Sequence, residues 1–149
     1  MQHENKTLRE WMHALDGLGM AISGSDERHE ADLIRLFHDL VCHSPTPTLV
    51  LGLATPSTAR LESLLDLEAT DSAVLSFIGP DMGFCLSRGS EGDHLASVIL
   101  PHRQEETTAA GATMALACLC ALTQALANAS PALRADKSDI LAQSSSLLH

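Results

Sequence analysis

The sequence predicts a single α+β domain, and three observations carry that expectation. Apolar residues recur at helical spacing over the first forty positions, and short apolar runs bounded by Gly and Pro fill the middle. Near the C-terminus, residues 107–133 contain no Asp, Glu, Lys or Arg. A length of 149 residues suits one domain with its own core. The expected division is a helical hairpin at 1–43, a sheet region at 48–100, a long buried helix at 104–130, and a short helix with a tail at 131–149.

Leu8, Trp11, Leu15, Leu18 and Ile22 alternate spacings of three and four, which draws one apolar stripe on a helix over residues 5–22. Ser23, Gly24 and Ser25 break it. Ser25 is the expected cap of a second helix, with Asp26 and Glu27 where the positive end of the helix dipole favours acid. That helix carries Leu33, Ile34, Phe37, Leu40 and Val41 and stops before Pro45 and Pro47. So short a break implies an antiparallel pair of helices.

The middle changes character. Residues 49–53 (Leu-Val-Leu-Gly-Leu) read as a short buried strand, and Thr55-Pro56 as the start of a helix through Leu61, Leu64 and Leu65. Residues 72–78, 84–88 and 94–100 read as three strands, separated by the Gly-rich turns at 79–83 and 89–93. They predict an antiparallel meander within a small antiparallel or mixed sheet of about four strands.

On a helical wheel the uncharged run has two unlike sides. Leu116, Leu119, Leu122 and Leu126 share one face. Ala117, Ala121, Ala125 and Ala129 form a ridge of small residues roughly opposite, edged by Thr113, Cys120, Gln124 and Asn128. The run is long enough to span a bilayer, but it is diluted by Ala, Thr, Gln and Asn, and it lacks aromatic anchors at its ends. A packing helix over residues 107–129 is therefore expected, its Leu face on the sheet. Its Ala face would be covered either by the hairpin or by a second copy about a two-fold axis. The dimer reading makes Thr113, Ala117, Ala121, Gln124, Ala125 and Asn128 the expected interface. Ser130-Pro131 starts a short last helix with Leu133, Ile140 and Leu141, followed by a serine-rich tail.

The order of these elements over residues 49–129, ending in a long helix after the last strand, resembles the small sensory domains of the GAF and PAS type. That resemblance implies ligand sensing and dimerisation through the long helix.

Composition narrows the partners. A net charge of -10 and an aromatic content of 3% disfavour nucleic acid and anionic membrane, which call for basic patches and stacking rings. The N-terminus carries no apolar signal segment, which with four cysteines fits reduced thiols in the cytoplasm.

Chemistry-bearing residues are sparse. His38, Cys42 and His43 end the second helix, and His38 and Cys42 are spaced to share a face as metal ligands. The remaining ligands would have to come from Cys85, His94 or His102, which no spacing specifies. A His near a helix C-terminus is otherwise explained by the dipole. Cys85 with His94 is a conceivable nucleophile and base, but Cys85 in an alternating strand more simply packs as a small hydrophobe. No phosphate-binding glycine pattern occurs. The sequence thus points to a non-enzymatic, cytoplasmic regulatory or small-molecule-sensing domain that dimerises through its long helix and needs no cofactor. An acidic protein-interaction adaptor or chaperone-like module is the second reading, and a metal-dependent or cysteine enzyme the third. An exposed apolar groove between the hairpin and the sheet would favour the adaptor, and a closed internal cavity would favour the sensor.

Overall fold

The computed structural model describes residues 2–129 except Leu51 and His102, and the side chains from Thr7 onward. Five helices and one sheet follow in the order α1 (Gln2–Ser23), α2 (Glu30–Cys42), α3 (Thr58–Asp66), α4 (Thr70–Leu75), β1 (Gly83–Arg88), β2 (His94–Ile99), β3 (Thr107–Gly111) and α5 (Met114–Ala129). Single 3₁₀ turns occupy Glu27–His29 and Pro47–Val50. The fold is α+β, with a three-stranded antiparallel sheet in the order β1-β2-β3 and a long helix packed on it.

The α1 stripe forms as the spacing requires. Trp11, Leu15, Leu18 and Ile22 are all buried. The Trp11 indole N–H donates to the Leu40 carbonyl at 2.8 Å, so α2 runs back along α1. Asp26, not Ser25, caps the 3₁₀ turn that leads into α2, whose own cap residue, His29, makes no side-chain capping bond. The Asp26 carboxylate accepts from the Arg28 backbone N–H at 3.0 Å, and the Arg28 guanidinium at 2.9 Å holds its carboxyl below the usual range. A charged acceptor one residue further on prevails over the Ser25 hydroxyl, which bonds the Asp26 carbonyl.

Two of the expected strands are not strands. Residues 47–50 form a 3₁₀ turn, and the chain then passes Gly52, whose φ of 95° a side chain rarely adopts. A Cβ there would also lie 2.3 Å from the Pro101 ring. The segment joins no strand: Leu53 N–H turns back to the Val50 carbonyl at 3.1 Å, and Ala54 N–H reaches the Phe77 carbonyl at 3.0 Å. The second is the strand expected at 72–78, where helix α4 (Thr70–Leu75) runs instead. Ala73, Val74 and Phe77 are each fully buried, a spacing of one and three that marks a helix face and not strand alternation. Helix α3 starts two residues later than the expected Thr55-Pro56 signal, at Thr58, capped by Ser57, which accepts from Arg60 N–H at 3.2 Å. Arg35 of α2 grips Glu62 of α3 through two bonds of 2.9 and 3.0 Å.

The strands at 83–88 and 94–99 stand where the turns placed them. The third strand is Thr107–Gly111, the segment expected to open the long helix. Thr107, Ala109 and Gly111 share the helix-facing side with Ala96 and Val98, which leaves α5 to begin at Met114. Thr113 caps it, accepting from Leu116 N–H at 3.1 Å and donating to the buried carboxylate of Glu30 at 2.5 Å. One hydroxyl therefore joins the start of α5 to the start of α2. Of the element order behind the GAF and PAS resemblance, the long helix after the last strand is present, and the strands expected at 49–53 and 72–78 are not found among the described residues.

Helix α5 lies between the sheet and α1. Its Thr123 and Ala127 face α1, while Ala125 and Ala129 lie beside Leu100 and Thr107 at the strand ends. Arg103 donates to the Ala129 carbonyl at 3.3 Å. Helices α2 and α4 close on α5 as well. Eleven of its sixteen residues are buried. The Leu face was expected on the sheet; at the strand ends it is the small residues Ala125 and Ala129 that lie beside Leu100 and Thr107. Glycine at position 111 is what allows β3 to come so close to the α5 backbone. A Cβ on Gly111 would stand 2.4 Å from the Ala117 amide nitrogen. The short last helix expected after Ser130, with Leu133, Ile140 and Leu141, lies outside the described residues.

Candidate functional site

The residues expected at a dimer interface divide. Ala117 and Ala121 are 0% exposed and Ala125 4%, all covered by this chain's own sheet and helices. Thr113 is partly buried at the helix cap, and Gln124 and Asn128 are exposed. The ridge and its polar edge thus do not form one accessible surface.

His38 and Cys42 do share a face of α2, with Cys42 Sγ 3.6 Å from His38 Nε2. That nitrogen is already engaged: it lies 2.7 Å from the Pro56 carbonyl, an acceptor, so Nε2 carries the proton and donates it there. The ring is buried against Phe77 and ties α2 to the start of α3. His43 turns the other way, bonding the Asp39 carbonyl at 2.8 Å, with the Asp39 carboxylate at 3.2 Å. Among the described residues, no three His, Cys, Asp or Glu side chains converge on a metal position. Cys42 is no activated nucleophile either, because burial and the nearby Asp39 both push its thiol above the ordinary value. Cys85 pairs across the sheet with Ser97, whereas His94 pairs with Arg88, three positions away. By strand alternation Cys85 and His94 project from opposite faces of the sheet. His102 lies outside the described residues.

Among the described residues the structure assembles an open groove of about 330 Å³ between α1 and α5. Leu15, Asp16, Gly19, Met20 and Ser23 form one wall, and Thr123, Gln124 and Ala127 the other. It exists because Gly19 has no side chain where the helices approach: a Cβ there would sit 3.7 Å from Thr123 Cγ2. Thr123 is buried, its hydroxyl donating to the Leu119 carbonyl at 2.7 Å, so its methyl is left for the groove floor. Gln124 bonds the Cys120 sulfur at 3.4 Å along the rim. Met20 stands 73% exposed at the edge, and Asp16 places an acid there. Of these residues only Gln124 was expected at a binding surface. The available signal was Gly17 and Gly19 inside a helical stripe, since glycine within a helix interior marks a close approach or an open space.

The fold and groove define a small α+β domain with an open cleft between α1 and α5. Compared with known proteins, the chain matches no family model, no curated protein and no solved structure. No helix among the described residues is long and apolar enough to cross a membrane.

Proposed function

We propose that this domain is a non-catalytic protein-interaction module that holds an apolar segment of a partner in the groove between α1 and α5. The observation that carries this reading is the groove itself, open along two helices, with an apolar floor, a flexible methionine at its edge and an acid on its rim. An amphipathic helix laid along such a groove buries its apolar face while its flanks stay polar. Methionine suits a surface that must adapt to the side chains it meets. In a chain of net charge -10, Lys or Arg flanking that segment would be favoured. Four free cysteines support the expected reducing, cytoplasmic setting.

Small-molecule sensing draws on the same groove, whose volume falls at the low end of the range for ligand sites, roughly 300–1,000 Å³. Its openness along the helices favours an extended partner over an enclosed ligand.

The test uses synthetic amphipathic helices with Leu at i, i+4 and i+7, flanked by Lys in one series and Glu in the other, titrated by fluorescence anisotropy. The Lys series is expected to bind, and Gly19→Trp, which fills the groove, to weaken it at least tenfold. Binding that ignores Gly19→Trp, or no binding by either series, contradicts the reading.

A further inference from the structure

Both outer strands, β1 and β3, lack a strand partner on one edge among the described residues, but only β3 lies under α5. Helix α5 lies over β2 and β3. Ala96, Val98 and Ala109 are buried beneath it. β1 projects past that cover. Phe84 and Leu86 lie on the same sheet face as Val98 and Ala96, their cross-strand partners. Phe84 is nevertheless 50% exposed, and Leu86 is only partly buried. Among the described residues no strand pairs with the outer edge of β1, so its outward backbone N–H and carbonyl groups are left without ladder partners.

We propose that the β1 edge binds a second copy of this chain, β1 to β1 antiparallel, with the two-fold axis at Cys85, making one continuous six-stranded sheet. The strand is self-complementary about that point. A two-fold axis normal to the sheet keeps each residue on its own face, so opposed residues must have numbers with an even sum. Centred on Cys85, Phe84 stands opposite Leu86 of the second copy, and Leu86 opposite its Phe84. Each half-covered apolar side chain then covers the other on the face that α5 leaves bare. Cys85 meets its own equivalent on the outer face.

Charge points to the same occupant. The chain as a whole repels itself at -10, but residues 82–90 contain one charge, Arg88, and no acid. Centring on Cys85 places Arg88 opposite Met82 of the second copy, next to Asp81. Arg88, the strand's only basic residue, thus comes to lie one residue in register from Asp81 at each end of the pairing. The two Arg88 side chains stay six positions apart, roughly 20 Å at the rise of a strand. Neither Asp81 nor Arg88 takes part in any of the ion pairs found among the described residues. This assembly leaves the α1–α5 groove out of the interface, so it stands or falls independently of the groove's role.

Light scattering on the eluted full chain at tens of micromolar, with thiol oxidation by copper–phenanthroline, tests the proposal. The expected result is twice the chain mass and a disulfide mapped to Cys85–Cys85, because directly opposed antiparallel residues sit about 4.5–5.5 Å apart at Cα, within disulfide reach. Phe84→Glu and Leu86→Glu are both expected to halve the mass while leaving the thermal melting cooperative, since the native sites are not sealed in the core. Cys85→Ser is expected to lose the cross-link and keep the mass. A monomer throughout overturns the proposal, as does a dimer that keeps its mass in both glutamate variants or cross-links only through Cys42.

Discussion

Gly111 and Ala117 are in backbone contact: a Cβ on Gly111 would lie 2.4 Å from the Ala117 amide nitrogen and 2.8 Å from its Cα. The last residue of β3 and the first turn of α5 therefore occupy one corner with no room for a methyl group. This contact fixes which side of α5 faces the sheet. Gly111→Ala is expected to destabilise the fold by roughly 1–3 kcal/mol, the usual cost of forcing added volume into a packed interior. Urea unfolding followed by circular dichroism measures it, and an unchanged midpoint would contradict the packing.

Thr113 serves two helices with one hydroxyl, accepting from Leu116 N–H and donating to the buried Glu30 carboxylate. Thr113→Val keeps the shape and removes both bonds. The expected loss is about 1–3 kcal/mol, combining a lost cap with a buried acceptor left short of a donor. Thr113→Ser should recover most of it, because the hydroxyl and not the methyl makes the contacts.

Trp11 and Leu40 hold the helical hairpin together by one hydrogen bond inside an apolar contact. Trp11→Phe should cost about 1 kcal/mol for the bond, together with part of the ring's buried area. Its readout is the same urea midpoint. Leu119→Ala, in the fully buried leucine row of α5, should cost more, about 2–5 kcal/mol.

The four cysteines separate into two pairs by accessibility. Cys42 and Cys85 are exposed, whereas Cys118 and Cys120 are 1% and 2% exposed on α5. Burial, with a smaller contribution from Asp71, pushes the Cys118 thiol up to about 11, so little thiolate is present at pH 8. Titration of the native protein with a chromogenic disulfide should find two reactive thiols, and all four only after unfolding. Between the exposed two, Cys42 should be the slower, its thiol being held above the ordinary value.

The helices at both ends were legible because their signals are repetitive: the stripe from Leu8 to Ile22 and the leucine row of α5 each repeat over several turns. The hairpin β1–β2 was legible from its turn glycines. The errors fall where a few residues carry two meanings. Residues 72–78 are apolar enough for a strand or a buried helix turn, and only tertiary packing of Ala73, Val74 and Phe77 decides. Residues 107–111 were absorbed into the helix because they are uncharged and Ala-rich. Two signals against this were present, the paired Thr107-Thr108 and the Gly111 break before Thr113. The groove was hardly legible at all. Its walls come from residues more than a hundred positions apart, and a space left open by Gly19 has no side chain to announce it.

That α5 is an internal layer is the central claim, and Ala121 tests it most directly. This residue is 0% exposed at the middle of the small-residue ridge. Ala121→Leu should lower the urea midpoint by an amount worth roughly 1–3 kcal/mol, with no change in the mass measured by light scattering. An undiminished midpoint together with a changed oligomeric state would show that the ridge faces a partner and would contradict the account.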